Sequence, residues 1–233
     1  MNNIIYNTTM TSMNKYLSSD KLTLIFPDTF NKPIDHYTFP SKLQSIIFGD
    51  KFNQSVSHII FPFRLQSITF GDRFDQPIDD VKFSSNMQSI TFGDSFNQPI
   101  DGVKFPSKLQ SISFGQNFDR PINRVKFPSN LKSLSFGRDF SQSIDSVKFP
   151  PNLESLEFGD YFDQPLNNLP LNLINLFFTH ISPNNLTNLP SSIRKIKLLH
   201  QSHANKFAIK YVKQLRIPYD CKVVDKDNIP FTI

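Results

Sequence analysis

The chain of 233 residues has no tryptophan, one cysteine, seven glycines and only two alanines, Ala204 and Ala208. The single thiol, Cys221, excludes an intramolecular disulfide and reads as a small apolar filler rather than a nucleophile. No run approaches the roughly 18 apolar residues of a membrane-spanning helix. The first 20 residues are rich in Asn, Ser and Thr and lack the apolar core of a signal peptide. With so few glycines, no phosphate-cradling loop is present. These absences predict a soluble, intracellular protein. The length suffices for one large domain or two small ones without metal or disulfide staples.

What is abundant is phenylalanine, 25 residues in all. Phe48, Phe70, Phe92, Phe114, Phe136 and Phe158 lie 22 apart, and Phe26 extends the series backwards. A second series runs from Phe30 through Phe52, Phe74, Phe96, Phe118 and Phe140 to Phe162. A third runs from Phe39 through Phe61, Phe83, Phe105 and Phe127 to Phe149. Such a fixed period marks a repeat architecture. The unit reads L-x-S-I-x-F-G-D-x-F-[ND]-Q-P-I-D-x-V-K-F-P-S-x, and two shorter copies begin at Leu173 and Ile193, which gives nine coils.

Within a coil, L-x-S-I-x-F alternates apolar and polar residues, the pattern of a half-buried strand. Ile68 and Phe70 are expected to point inward, and Ser67 and Thr69 outward. Gly71 allows a turn that a Cβ would hinder. Asp75, Gln76 and Pro77 bend the chain, and Ile78, Val81 and Phe83 make a second inward set. One coil cannot bury its own apolar row, but a stack buries it continuously. Parallel strands at ~4.8 Å would make nine coils a rod or arc of roughly 40 Å. The expected fold is therefore a β-rich solenoid, with a parallel sheet on one face and ladders of phenylalanine inside.

The strings Phe74-Asp-Gln-Pro-Ile78, Phe96-Asn-Gln-Pro-Ile100 and Phe118-Asp-Arg-Pro-Ile122, each after a strand of the LQSITFGD kind, resemble FNIP repeats of amoebae and giant viruses. The resemblance covers about residues 21–170 and implies a leucine-rich-repeat-like stack. Pro27 in place of the glycine, Ser55 and Ser143 in place of the proline, and Ser141 in place of Asn/Asp depart from the unit and are expected to weaken single turns. Many FNIP proteins resemble F-box proteins at their N-terminus. Residues 1–20 are too short for an F-box, so a ubiquitin-ligase link is implied only as an adaptor beside a separate subunit. The implied location is the cytoplasm, that of the host if the protein is viral. Three segments are expected: a polar N-terminal segment or frayed cap (1–20), the solenoid (21–200) and a C-terminal cap (201–233). In the last, 204–216 reads as an amphipathic helix and Cys221–Val224 as a short strand.

Catalysis needs unlike groups gathered in one place, whereas a repeat spreads like groups along a line. The serine slot reads as small polar residues on a strand's outer face, not as nucleophiles with a base. The five histidines supply no set of about four ligands for a structural metal. The FGD strings lack the glycine-rich nonapeptide of calcium solenoids. No catalytic, metal or cofactor site is expected.

Three surfaces remain for binding. On the strand face, Ser67/Thr69, Ser89/Thr91, Ser111/Ser113 and Ser133/Ser135 form an uncharged polar stripe, poor in the Trp, Tyr and Arg of binding hot spots. The stripe grows richer at Asn175/Phe177 and Lys195/Lys197, so a partner's anchor is expected near Phe177; the competing reading packs Phe177 under segment 179–188. A second surface is a ladder of Lys82, Lys104, Lys126 and Lys148, which reads as a solvated face with alternating charge. The third is the basic end. Residues 1–190 hold 16 Lys/Arg and 17 Asp/Glu, whereas residues 191–233 hold nine and three. Arg194, Lys195, Lys197, Lys206, Lys210 and Lys213 would suit an acidic protein, a nucleic acid or an acidic lipid surface, unless they serve solubility alone. The sequence thus predicts a non-enzymatic scaffold or adaptor for an unidentified protein partner, with polyanion binding by the basic end as the alternative.

Overall fold

The structure is a computed structural model that describes residues 14–179, 181, 189–199 and 217–231. Among these residues, ten strands form one parallel sheet in chain order. They are β1 Thr23–Ile25, β2 Ser45–Ile47, β3 Ser67–Thr69, β4 Ser89–Thr91, β5 Ser111–Ser113, β6 Ser133–Ser135, β7 Ser155–Phe158, β8 Asn175–Phe178, β9 Lys195–Leu198 and β10 Lys222–Val224. The first nine fall on the repeat strings, one strand per coil. Each residue pairs with its counterpart in the next coil, as in Ile46↔Ile68 and Ile68↔Ile90. No α-helix occurs among the described residues, and the helix expected over 204–216 lies outside them. The C-terminal element that is described is β10, which pairs with β9.

The first two phenylalanine series form the core. Phe48 and Phe70 stand 5.4 Å apart with planes 8° from parallel, and Phe70 and Phe92 repeat this at 5.5 Å and 7°. Spacing wider than ring thickness with near-parallel planes is offset stacking, a preferred aromatic geometry. The two ladders also touch within each coil, as where Phe70 meets Phe74 at 4.0 Å. The third series behaves otherwise. Phe39 and Phe61 are buried, but Phe83, Phe105, Phe127 and Phe149 are only half-buried. Ile78 and Val81 fill the interior of their coil, which leaves Phe83 at its rim rather than in the expected inward set.

The glycine slot has an inter-coil cause. No glycine has positive φ. A Cβ on Gly71 would run into the backbone carbonyl of Gly49 in the preceding coil. Gly71 is thus needed for close approach between coils, not for a left-handed turn. Pro27 opens this series and is itself the backbone that Gly49 approaches.

The Asn/Asp of the motif also acts between coils. Asn53 Oδ1 accepts from the Asp75 N–H at 3.0 Å and from Gln76 Nε2 at 2.8 Å. Asp75 Oδ1 likewise accepts from the Asn97 N–H at 2.9 Å and Gln98 Nε2 at 2.8 Å. On another edge Asn130, Asn152 and Asn172 donate to the carbonyls of Ser107, Ser129 and Pro151. Where Ser143 replaces proline, its hydroxyl accepts from the Asp145 N–H at 3.3 Å and so holds its own turn.

Both sheet edges are folded over. At one, Leu17 bridges Leu24 antiparallel and the Tyr16 ring lies 5.2 Å from Phe26 and 5.8 Å from Phe30, covering the start of the ladders. At the other, Pro230 bridges Val224 antiparallel and the Phe231 N–H donates to the Val223 carbonyl at 2.9 Å. The buried Asp225 fixes this reversal by accepting from the N–H groups of Asp227 and Ile229, both at 2.9 Å. A blunted edge resists pairing with further strands.

Candidate functional site

The strand face collects the expected residues. Ser67, Ser89, Ser111 and Ser133 lie in one register column, and Thr69, Thr91, Ser113 and Ser135 in the next. All are half-buried beside fully inward Ile68, Ile90, Ile112 and Leu134. The serines serve one another where bonds form, as in Ser67 Oγ donating to Ser45 Oγ at 2.8 Å. Sequence reasoning passed over a third column. Gln44, Gln66, Gln88 and Gln110 precede their strands, and polar grooves of about 300–360 Å³ run along them. The signal was the variable position of L-x-S, which looks unconstrained in any single coil.

Toward the C-terminal end the columns change chemistry. The second continues Ser135↔Glu157↔Phe177↔Lys197. The first continues Ser155↔Asn175↔Lys195↔Lys222. The third continues through Lys132, Glu154, Ile174 and Arg194, joined by inter-coil backbone bonds. Phe177 is half-buried on the outward side of β8, while Phe178 beside it is buried. Burial pushes the Glu157 carboxyl above its ordinary value, against a lowering hydrogen bond with Ser135. Arg194, Lys195 and Lys197 thus share one end of the face. Lys206, Lys210 and Lys213 lie outside the described residues. Lys222, within the short strand expected at Cys221–Val224, joins the cluster as the register partner of Lys195.

On the return side Lys82, Lys104, Lys126 and Lys148 are all exposed. Among the described residues none of them is within ion-pair distance of a carboxylate, so Asp79, Asp101 and Asp145 offset them only through solvent. In the first coils this slot holds Thr38 and Ile60 instead. A groove of about 670 Å³ opens there, lined by His36, Tyr37, His58 and the unusually exposed Ile60 (90%) and Phe63 (72%). No three His, Cys, Asp or Glu side chains converge as a metal site among the described residues. Asp72 sits in a column with Asp28, Asp50 and Asp94; burial first, and then Asp50, Asp94 and Asp28, push its carboxyl up. Burial likewise pushes the Cys221 thiol up to about 11, so it is not a thiolate near neutral pH. No helix among the described residues is long and apolar enough to cross a membrane.

Parallel coils on one sheet around a phenylalanine core define a leucine-rich-repeat-like solenoid. The chain belongs to the FNIP repeat family, whose description is FNIP Repeat and whose pattern matches residues 30–73, 74–117, 96–139 and 140–180. Among curated proteins none matches the chain. Among solved structures it is similar to CroV588, described as a novel circular LRR protein. The two share 26% identity at a TM-score of 0.59, over 87% of this chain and 33% of that one. This chain therefore spans about a third of that protein's length. The pneumococcal vaccine antigen PcpA aligns with 90% of this chain and 45% of its own at 15% identity and a TM-score of 0.23, too low to bear on the fold. Repeat solenoids of this kind are typically non-enzymatic.

Proposed function

We propose that the chain is a non-enzymatic protein-interaction scaffold that offers its strand face to a protein partner. The observation that carries this reading is the in-register face itself. Ten strands hold outward side chains in straight columns, and glycine and Asn/Asp ladders fix the spacing from coil to coil. A rigid, pre-ordered surface loses little entropy on binding. An adaptor role and the protein partner itself belong to this proposal. So does placing the docking residues among Ser67, Thr69, Ser89, Thr91, Ser111, Ser113, Ser133, Ser135 and Phe177.

The experiment is affinity capture with the full chain at low and moderate salt, beside a variant carrying Ser111→Arg and Ser133→Arg. Capture that persists in salt and is lost in the variant supports the scaffold. Capture of nucleic acid or lipid, in place of protein, that fades steeply with salt and ignores both substitutions is the signature of polyanion binding by the basic end, and would displace this reading.

A further inference from the structure

We propose that strands β7–β10 form a subsite for an acidic peptide segment that carries an apolar side chain. In this subsite Arg194, Lys195, Lys197 and Lys222 receive the carboxylates, and Phe177 with Ile174 receives the apolar group. The inference rests on the strand face being the docking surface and names the chemistry of what docks there.

Charge complementarity is the first argument. Ahead of β6 and β7 one cation on the face meets a carboxylate, Lys132 Nζ lying 3.3 Å from Glu154 Oε1. Beyond β7 the cations of the face have no such partner among the described residues. Among the described residues no carboxylate pairs with Arg194, Lys195, Lys197 or Lys222. Lys195 Nζ donates to the Asn228 side-chain oxygen at 3.0 Å, and Arg194 to the carbonyls of Ser191 and Ile193 at 2.6 and 3.2 Å. These neutral acceptors orient the cations and leave their charge uncancelled. Lys195 and Lys222 are direct register partners on β9 and β10. Like charges opposite each other on adjacent strands, ~4.8 Å apart, destabilise a sheet. An acidic ligand would relieve that repulsion. The buried Asp225 accepts with its Oδ1 from the N–H groups of its own turn.

The second argument is the apolar pair inside the cationic frame. Ile174 is 40% exposed, immediately before β8, and Phe177 lies outward on β8 between Glu157 and Lys197. A bare polyphosphate has no use for such a pair. A peptide with one apolar side chain among acids uses both features, and the flanking charges fix its register.

The test is fluorescence anisotropy with the full chain and three labelled synthetic peptides of equal length. The first has glutamates flanking one phenylalanine, the second has serine for that phenylalanine, and the third has glutamine for every glutamate. The first should bind, and each replacement should weaken binding about tenfold. Lys195→Gln with Lys197→Gln should erase the preference for glutamate over glutamine. Phe177→Ser should erase the preference for phenylalanine over serine and keep the preference for glutamate. No binding of the first peptide, equal binding of all three, or a glutamate preference untouched by the lysine substitutions overturns the proposal. So does a labelled single-stranded oligodeoxynucleotide that binds more tightly and depends on the same lysines. Binding lost with Ser111→Arg and Ser133→Arg, but kept with the lysine substitutions, overturns this placement and leaves the scaffold standing. Binding indifferent to every strand-face substitution overturns both.

Discussion

The backbone N–H of Asp75 donates to the side-chain Oδ1 of Asn53, one coil earlier, at 3.0 Å. This bond gives the F-[ND]-Q string a physical meaning. The Asn/Asp accepts from the coil that follows, and the glutamine two residues after the phenylalanine donates to the same oxygen. Asn53→Ala would leave the Asp75 N–H without its partner, a loss of about 1–3 kcal/mol for a buried donor and at the lower end for this half-buried one. Asn53→Asp keeps the acceptor and should stay within about 1 kcal/mol of the native chain. Urea denaturation of the two variants checks the contrast.

The glycine column yields a sharper contrast. A Cβ on Gly115 would collide with the Gly93 carbonyl, a backbone group that cannot swing aside. A Cβ on Gly102 would meet only the Asp79 side chain, at 2.9 Å from Oδ1. Gly115→Ala should destabilise by about 1–3 kcal/mol or more, as overpacking does. Gly102→Ala should stay within about 0.5 kcal/mol. Thermal melts of both proteins decide; equal losses would mean that the coils are not in this close contact.

Phe114 lies between Phe92 at 5.3 Å and Phe136 at 5.7 Å, fully inside the stack. Its replacement by alanine should cost about 3–5 kcal/mol. Phe127, on the half-buried rim, should lose markedly less. Denaturant midpoints of the two variants report the difference, and the reverse order would place the wrong series in the core.

These contrasts mark what was legible in the sequence. The period of 22 and the alternation around Ile68 and Phe70 were enough for the coils, the parallel sheet and the outward serines. The half-burial of Phe83 was not legible, because alternation does not say how many side chains an interior holds. Gly71 does open a turn, its carbonyl accepting from the Phe74 N–H at 3.1 Å, but what excludes a Cβ there was not legible, for a related reason. Local sequence suggests local geometry, whereas the obstacle is Gly49 in another coil. The strand at Cys221–Val224 was legible but the column of Lys222 was not, because 26 residues lie between it and its register partner Lys195 and nothing among them repeats.

Glu157 makes stability pH-dependent in a definite direction. Burial raises its folded-state pKa above the ordinary 4.5, so from 4.5 upward the native state holds more protons than the unfolded chain. Stability then falls as pH rises through the window between 4.5 and the raised value. Glu157→Gln should remove that fall and be the more stable protein at neutral pH. Below the window the two curves should converge. Urea midpoints from acid to neutral pH test this, and a native chain that gains stability over the variant as pH rises would have the wrong sign.

The measurement closest to the central claim compares two faces of the same chain. The dissociation constant of a captured protein partner is taken for the native chain, for Ser111→Arg with Ser133→Arg on the strand face, and for Lys104→Glu with Lys126→Glu on the return side. The scaffold account predicts that the first pair weakens binding by at least about a hundredfold, as buried like-charge or steric intrusion does, and that the second pair leaves it unchanged. Binding insensitive to the strand-face pair but lost with the lysine pair would contradict it.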